Sequence, residues 1–194
     1  YQPQVDPLSG EVIGLEALAR WEHPDKGLVS PGEFIPLAEE TGLIVPLGQR
    51  ILEEACRQGR RWQEEGFLNF RVAVNVSAIQ IAKGNFVRTV KNVLKTTGLP
   101  AEHLEVEITE STLIREPALT LETLRALKRL GVSVALDDFG TGYSALSYLK
   151  TYPVDRLKID QNFIRNVLHS AHDSAIVEAI FAMGRNCLLY TSDA

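Results

Sequence analysis

The chain has 194 residues, 45% hydrophobic and 23% charged, with two cysteines and a formal net charge of −5. A composition that apolar supports a buried core and excludes disorder, collagen and a disulfide scaffold, the two Cys standing far apart at 56 and 187. The excess of acid, 25 Asp plus Glu against 20 Lys plus Arg, leaves no basic footprint for polymeric nucleic acid, although metal ions or a few placed cations let an acidic protein hold a small phosphodiester.

Tyr1 to Val5 and Glu11 to Ala19 flank the breaker-rich Asp6-Pro7-Leu8-Ser9-Gly10, which predicts a hairpin. Ser30-Pro31-Gly32-Glu33 starts a helix over Phe34 to Glu40, closed by Gly42, and a longer helix follows from about Pro46 to Glu65 with Ile51, Leu52, Ala55 and Trp62 on one face. Its stretch from Arg57 to Glu65 reads as a charged, solvated face. The remaining pattern alternates short apolar runs with amphipathic ones. Strands are expected at Arg71 to Val76, Leu104 to Ile108, Val132 to Leu136 and Asp155 to Ile159. Helices are expected at Asn85 to Thr97, Ala118 to Leu130, Ser144 to Lys150 and Asp173 to about Asn186. Strands spaced by helices of ~10–15 residues call for parallel pairing through right-handed crossovers. Six strands in 194 residues fit a (β/α)8 barrel, typically ~250 residues, that lacks its last two units. An open doubly wound sheet is the competing fold.

Five apolar runs present a polar residue toward their C-terminal ends: Glu16, Asn75, Glu107, the pair Asp137 and Asp138, and Lys158. In a parallel barrel those ends converge on the face that carries active sites. Buried carboxylates there repel one another unless cations neutralise them, and hard oxygen donors without Cys or His favour Mg²⁺ or Mn²⁺ over Zn²⁺. Taken singly, each has a plainer reading. Glu107, with Glu105 on the same strand face, suits a solvated strand; Asp-Asp before Phe-Gly suits a turn; Lys158 suits a solvated or salt-bridged lysine. His23, His103, His169 and His172 share no ligand spacing and read as structural or surface residues.

Glu16-Ala17-Leu18-Ala19-Arg20-Trp21, followed by His23-Pro24, resembles the motif that names the EAL-domain family, the cyclic di-GMP phosphodiesterases of bacterial signalling. The likeness continues through Phe34-Ile35-Pro36-Leu37-Ala38-Glu39, Asn75-Val76-Ser77, Glu107-Ile108-Thr109-Glu110, Asp137-Asp138-Phe139-Gly140-Thr141-Gly142-Tyr143-Ser144 and Lys158-Ile159-Asp160. It covers residues 1 to about 186 in unbroken order. The resemblance implies a modified TIM (β/α)8 barrel with an antiparallel first strand, and hydrolysis of cyclic di-GMP to 5′-pGpG. It implies two divalent ions, Mg²⁺ or Mn²⁺, that polarise the phosphodiester and make water nucleophilic. By motif, Glu16, Asn75, Glu107 and Asp137 would hold the first ion, Asp137 bridging to a second that Asp138 also holds. Lys158 would steady the water or the developing charge. Arg20 would clamp a substrate phosphate, with Leu18 and Gln2 as further substrate contacts, and Glu110 would steady the loop 139–144. The resemblance leaves two readings of function: an active phosphodiesterase, or a catalytically silent cyclic di-GMP receptor or protein-interaction module. Intact metal positions favour the first, and an unrelated sugar-phosphate barrel would make the whole motif series a coincidence.

The family supplies a seventh strand ending in Glu-Gly-Val-Glu and an eighth ending near Gln-Gly, and neither motif occurs in these residues. The expected organisation is a partial EAL domain over 1–186, of low stability and little activity by itself. Residues 187–194, Cys-Leu-Leu-Tyr-Thr-Ser-Asp-Ala, match one reading frame of a common transposase sequencing adapter and are expected to be a non-native tail. With no apolar run near the ~20 residues of a membrane span and no signal peptide at its start, the chain is expected to be cytoplasmic. Its parent could carry a membrane anchor, an upstream cyclase or sensory domains. Cyclic di-GMP is the expected small-molecule partner, with a homodimer compatible with the family.

Overall fold

The computed structural model describes residues 1–83, 85–140, 151–186 and 190–193, which divide into two compact units, Tyr1–Val106 and Glu107–Ala194. The first unit opens with β1 (Gln2–Val5) and β2 (Val12–Ala17), paired antiparallel as the expected hairpin. Asp6 makes its turn: one carboxylate oxygen accepts from the N–H groups of Leu8 and Ser9, and Gly10 takes φ +73°. A short hairpin of β3 (Trp21–His23) and β4 (Gly27–Val29) follows, which three-residue strands gave no periodicity to foresee. His23 Nδ1 accepts from the N–H groups of Asp25 and Lys26 in its turn, so this histidine is a structural cap.

Helices α1 (Pro31–Glu40) and α2 (Ile44–Glu64) come next. Helix α2 buries Leu52, Ala55, Cys56 and Gly59 and keeps the pairs Arg57–Glu54 and Arg60–Glu64 on its wet side, as the charge pattern predicts. Strand β5 (Arg71–Asn75) runs parallel to β2, with Glu16 opposite Ala73. Helices α3 (Ala78–Ala82) and α4 (Phe86–Thr97) lead to β6 (Leu104–Thr109), whose residues from Glu107 on are counted with the second unit; the strand order before it is β1-β2-β5. Gly98 ends α4 at φ +75°, the left-handed stop that its type favours.

In the second unit, α5 (Glu110–Arg115) and α6 (Pro117–Leu130) precede β7 (Ser133–Phe139) and β8 (Arg156–Ile159), which pair in parallel. Helices α7 (Gln161–Asn166) and α8 (Ala171–Asn186) follow. A further strand, β9 (Tyr190–Asp193), lies parallel to β8 in a stretch to which sequence reading assigns no element. The helix expected at Ser144 to Lys150 lies outside the described residues. Two expectations are corrected. The strand count exceeds six because of β3, β4 and β9. Strand β7 continues past Leu136, so Asp137 and Asp138 sit within it and not in a turn after it. The register of β7 on β8 shifts between Leu136 and Phe139, and Asp138 takes φ +55°. A bulge of this kind inserts a residue and re-aims its neighbours' side chains without ending the strand.

Candidate functional site

In the first unit the polar residues meet where β2 and β5 end. Gln2 stands opposite Glu16 in the β1–β2 ladder, and Asn75 Nδ2 donates to Glu16 Oε1 at 2.7 Å. That bond fixes which end of the Asn75 amide faces the carboxylate and leaves the Asn75 carbonyl oxygen as the available hard donor. Strand pairing does the placing: Ala17 and Val74 are register partners, so Glu16 and Asn75 follow from adjacent ends of one parallel pair. Beyond β2 the chain leaves the sheet. Leu18 is half-buried, and Arg20 is exposed with Nη1 donating to the carbonyl of Ala19 at 2.8 Å. Arg20 also walls an apolar cavity of about 450 Å³, together with Trp21, Phe34, Leu37, Leu47 and Ile51.

In the second unit three charged groups meet in the interior. Glu107 on β6 is fully buried, Lys158 on β8 is 2% exposed and Asp137 on β7 is 9% exposed. Lys158 Nζ donates to Glu107 Oε2 at 2.9 Å and to Asp137 Oδ2 at 3.2 Å. Carboxylate oxygens of Glu107 and Asp137 lie within 4.8 Å of each other. The solvated reading of Glu107 is therefore wrong, and of the two plain readings of Lys158 it is the salt-bridged one that the structure has. The bulge turns Asp138 outward, where it is exposed, while its N–H donates to Asp137 Oδ1 at 3.0 Å. One bulge thus presents two consecutive carboxylates differently. A non-glycine residue in the left-handed region is costly, and Asp is among the few side chains that tolerate it.

Glu110, at the start of α5, is 4% exposed and neither carboxylate oxygen has a hydrogen-bond partner among the described residues. The segment it is expected to steady lies mostly in 141–150, outside the described residues.

The residues fit divalent cations. The donors are carboxylate oxygens and one amide, the set that suits Mg²⁺ or Mn²⁺. The ammonium of Lys158 already stands as a cation between two of the carboxylates, which shows that this pair is arranged around positive charge. The resemblance sets Lys158 on the substrate's side of the chemistry and the lone residue reads as solvated or salt-bridged; the sequence does not name Glu107 and Asp137 as its partners. The i, i+2 parity of Glu105 with Glu107, and of Arg156 with Lys158, on strands now known to be buried, was the available signal.

The histidines take no part here: His103 Nδ1 lies 2.7 Å from the carbonyl oxygen of Phe70, and His172 sits beside Asp173 on the surface.

Comparison with known proteins narrows the identity. The sequence profile of the family described as EAL domain matches residues 1–189. The bifunctional diguanylate cyclase/cyclic di-GMP phosphodiesterase MucR of Pseudomonas aeruginosa is 50% identical over 185 residues, 95% of this chain and 27% of that protein. The cyclic di-GMP phosphodiesterase PdeR of Escherichia coli is 43% identical over 185 residues, 95% of this chain and 28% of that protein. The chain therefore spans about a quarter of the length of the curated relatives it matches. Among solved structures, the PaMucR phosphodiesterase in complex with c-di-GMP superposes with a TM-score of 0.95 at 49% identity, covering 100% of this chain and 78% of that one. The antiparallel β1 and the parallel strands after it are thus features of a shared fold, and the chain belongs to the EAL domain family.

Proposed function

We propose that this chain carries the catalytic face of a metal-dependent phosphodiesterase that hydrolyses one phosphodiester bond of cyclic di-GMP to give 5′-pGpG. The observation that carries this reading is the buried Glu107–Lys158–Asp137 cluster. Two acids in the interior are costly unless cations face them, and a fold that keeps them there uses them. The relatives MucR and PdeR are named cyclic di-GMP phosphodiesterases, and Glu16, Asn75, Glu107, Asp137 and Asp138 keep the residue types of the family's metal positions, the seventh-strand glutamate of that motif lying outside these residues. In this reading Glu16, Asn75, Glu107 and Asp137 hold one Mg²⁺ or Mn²⁺ and Asp137 and Asp138 a second. Bound there, such ions polarise the phosphodiester and lower the pKa of water.

The remaining work falls to the chain's own groups. Arg20 swings from the Ala19 carbonyl to a non-bridging phosphate oxygen, for which a planar guanidinium is well shaped. The apolar cavity behind it offers surface to a nucleobase, with Leu18 and Gln2 alongside. Water oxygen adds to phosphorus, the P–O3′ bond breaks, and the departing O3′ takes up a proton, leaving the phosphate on the 5′ end. The ammonium of Lys158 faces the negative charge that gathers on the phosphoryl oxygens as this happens. Glu110 steadies the segment after the Asp pair, and the whole assembly works in the cytoplasm.

The test is chromatographic detection of 5′-pGpG from cyclic di-GMP with Mn²⁺ or Mg²⁺, using residues 1–194 alone and the same residues extended by the last two βα units of a relative. Turnover is expected chiefly in the extended form, and Glu16→Ala should abolish it while Arg20→Ala raises KM about tenfold or more, the loss of one charge-assisted bidentate contact. Equal turnover in Glu16→Ala and its parent sinks the metal assignment. Tight binding of cyclic di-GMP without product in the extended form would make the domain a receptor.

A further inference from the structure

Two parts of the family likeness have no role in the chemistry above: Glu39, at the end of its segment, and the pair Val76-Ser77 after Asn75. The first unit brings them together. Ser77 caps α3, its hydroxyl accepting from the Ile79 N–H at 3.2 Å while Gln80 Oε1 accepts from the Ser77 N–H at 3.0 Å, a capping box. The hydroxyl's single proton goes elsewhere, to Glu39 Oε1 on α1, across 38 positions of sequence. Gln80 is 7% exposed and lies against α2 at Gly48, where an added Cβ would stand 2.2 Å from Gln80 Nε2. Helices α1 and α3 therefore meet at Ser77, the residue that follows Val76, itself buried at 6% exposure, and α2 holds the Gln80 that pairs with it. On its other side Asn75 is preceded by Val74, locked into the ladder opposite Ala17. Asn75 is held from both ends.

From this geometry we infer that Glu39, Ser77 and Gln80 form a positioning brace for Asn75, setting its amide against Glu16 so that the pair is ready for a cation before one arrives. The inference rests on the metal roles assigned to Asn75 and Glu16 above. An ordinary helix cap needs only the Ser77–Gln80 reciprocity; the charge-assisted bond from Ser77 to a glutamate of another helix adds nothing to α3 and fixes the strand-to-helix turn in space. Groups that orient a metal ligand without touching the metal typically change its affinity 10–100-fold when removed. Gly48 belongs to the same device, because only a residue without a side chain lets the Gln80 amide lie on α2.

The experiment is titration of the chain with Mn²⁺ alone, following the free-ion signal by electron paramagnetic resonance, in the parent, Ser77→Ala, Ser77→Thr, Glu39→Gln, Glu16→Gln and Val93→Ala. The last removes buried volume in α4, away from the brace, and controls for destabilisation. Ser77→Ala should weaken Mn²⁺ binding about tenfold or more, Ser77→Thr should stay within about twofold of the parent because it keeps the hydroxyl, and Val93→Ala should lower the melting temperature without moving the affinity. Should Ser77→Ala lose its helical circular dichroism, Glu39→Gln reads the same bond with the cap intact and should weaken binding by a smaller factor. Parent-like Mn²⁺ affinity in both Ser77→Ala and Glu39→Gln, with affinity lost in Glu16→Gln, overturns the brace and leaves the metal site standing. Parent-like affinity in Glu16→Gln as well overturns both.

Discussion

Lys158 is among the largest fully buried side chains of the molecule, and its ammonium is what allows Glu107 and Asp137 to share the interior. Taking one partner from a buried ionic cluster leaves uncompensated charge, a loss of about 3–5 kcal/mol. Lys158→Met keeps most of the volume and removes only the charge, so its thermal midpoint should fall by roughly 10 °C for a chain of this size. If the two carboxylates also face a divalent ion, Mn²⁺ should restore much of that fall and raise Lys158→Met by more than it raises the parent. Differential scanning calorimetry with and without Mn²⁺ decides it, and an equal rise in both would mean that the cluster is a closed structural ion pair. The same residue shows where the sequence was legible and where it was not. The pattern of one polar residue toward the end of each apolar run marked the positions, because a buried strand has no other use for them. It could not show that the lysine and the acids point at each other, which depends on a bulge at Asp138 that has no periodic signature.

At the scale of elements, α2 is held by close approach, and its glycines are contact points. A Cβ on Gly59 would stand 2.7 Å from Val72 Cγ2 on β5 and 3.4 Å from Leu99 Cδ1. Ala gains helix propensity of about 1 kcal/mol over Gly, but overpacking a tight contact costs about 1–3 kcal/mol, so the clash outweighs the propensity. Gly32, in the first turn of α1, has a near-helical neighbourhood with only Ser30 Oγ at 3.8 Å from an added Cβ. Gly32→Ala should therefore stabilise by about 0.4–1 kcal/mol and Gly59→Ala should destabilise, a difference of sign readable in urea midpoints. A stabilised Gly59→Ala would mean that α2 can shift on β5 freely. Long amphipathic elements such as α2, α4 and α6 were legible because their apolar spacing repeats over several turns, and Gly98 and Gly131 mark two of their ends. The short ones were not. Hairpin β3–β4 and helices α3 and α5 have three to six residues each, too few for a period, and α3 is defined by a capping box whose Ser and Gln look like ordinary surface polarity in the chain.

For the molecule as a whole, the cysteine whose side chain is described, Cys56, is a free thiol with a consequence for stability. Cys56 on α2 is fully buried in the core of the first unit, and removal of its thiolate from water pushes its pKa up from 9.0 to about 12. The unfolded chain ionises this thiol near its ordinary value while the folded chain holds the proton. Between those values the folded state binds more protons than the unfolded one, so the contribution to stability is complete below pH 9 and drains away as the pH rises toward 12. Its slope can reach about 1.4 kcal/mol per pH unit within that window. Urea unfolding at pH 7, 8, 9.5 and 10.5 should show a decline in the parent that is shallower in Cys56→Ala, although the alanine variant starts lower because it leaves space in a packed core. The thiol should also resist a disulfide reagent in the native state and react at the rate of unfolding, since neither access nor thiolate is available in the fold. Identical alkaline slopes in parent and Cys56→Ala, or rapid labelling of the native thiol, would show that α2 opens from β5 readily, and that the close packing at Gly59 is not what holds this unit together.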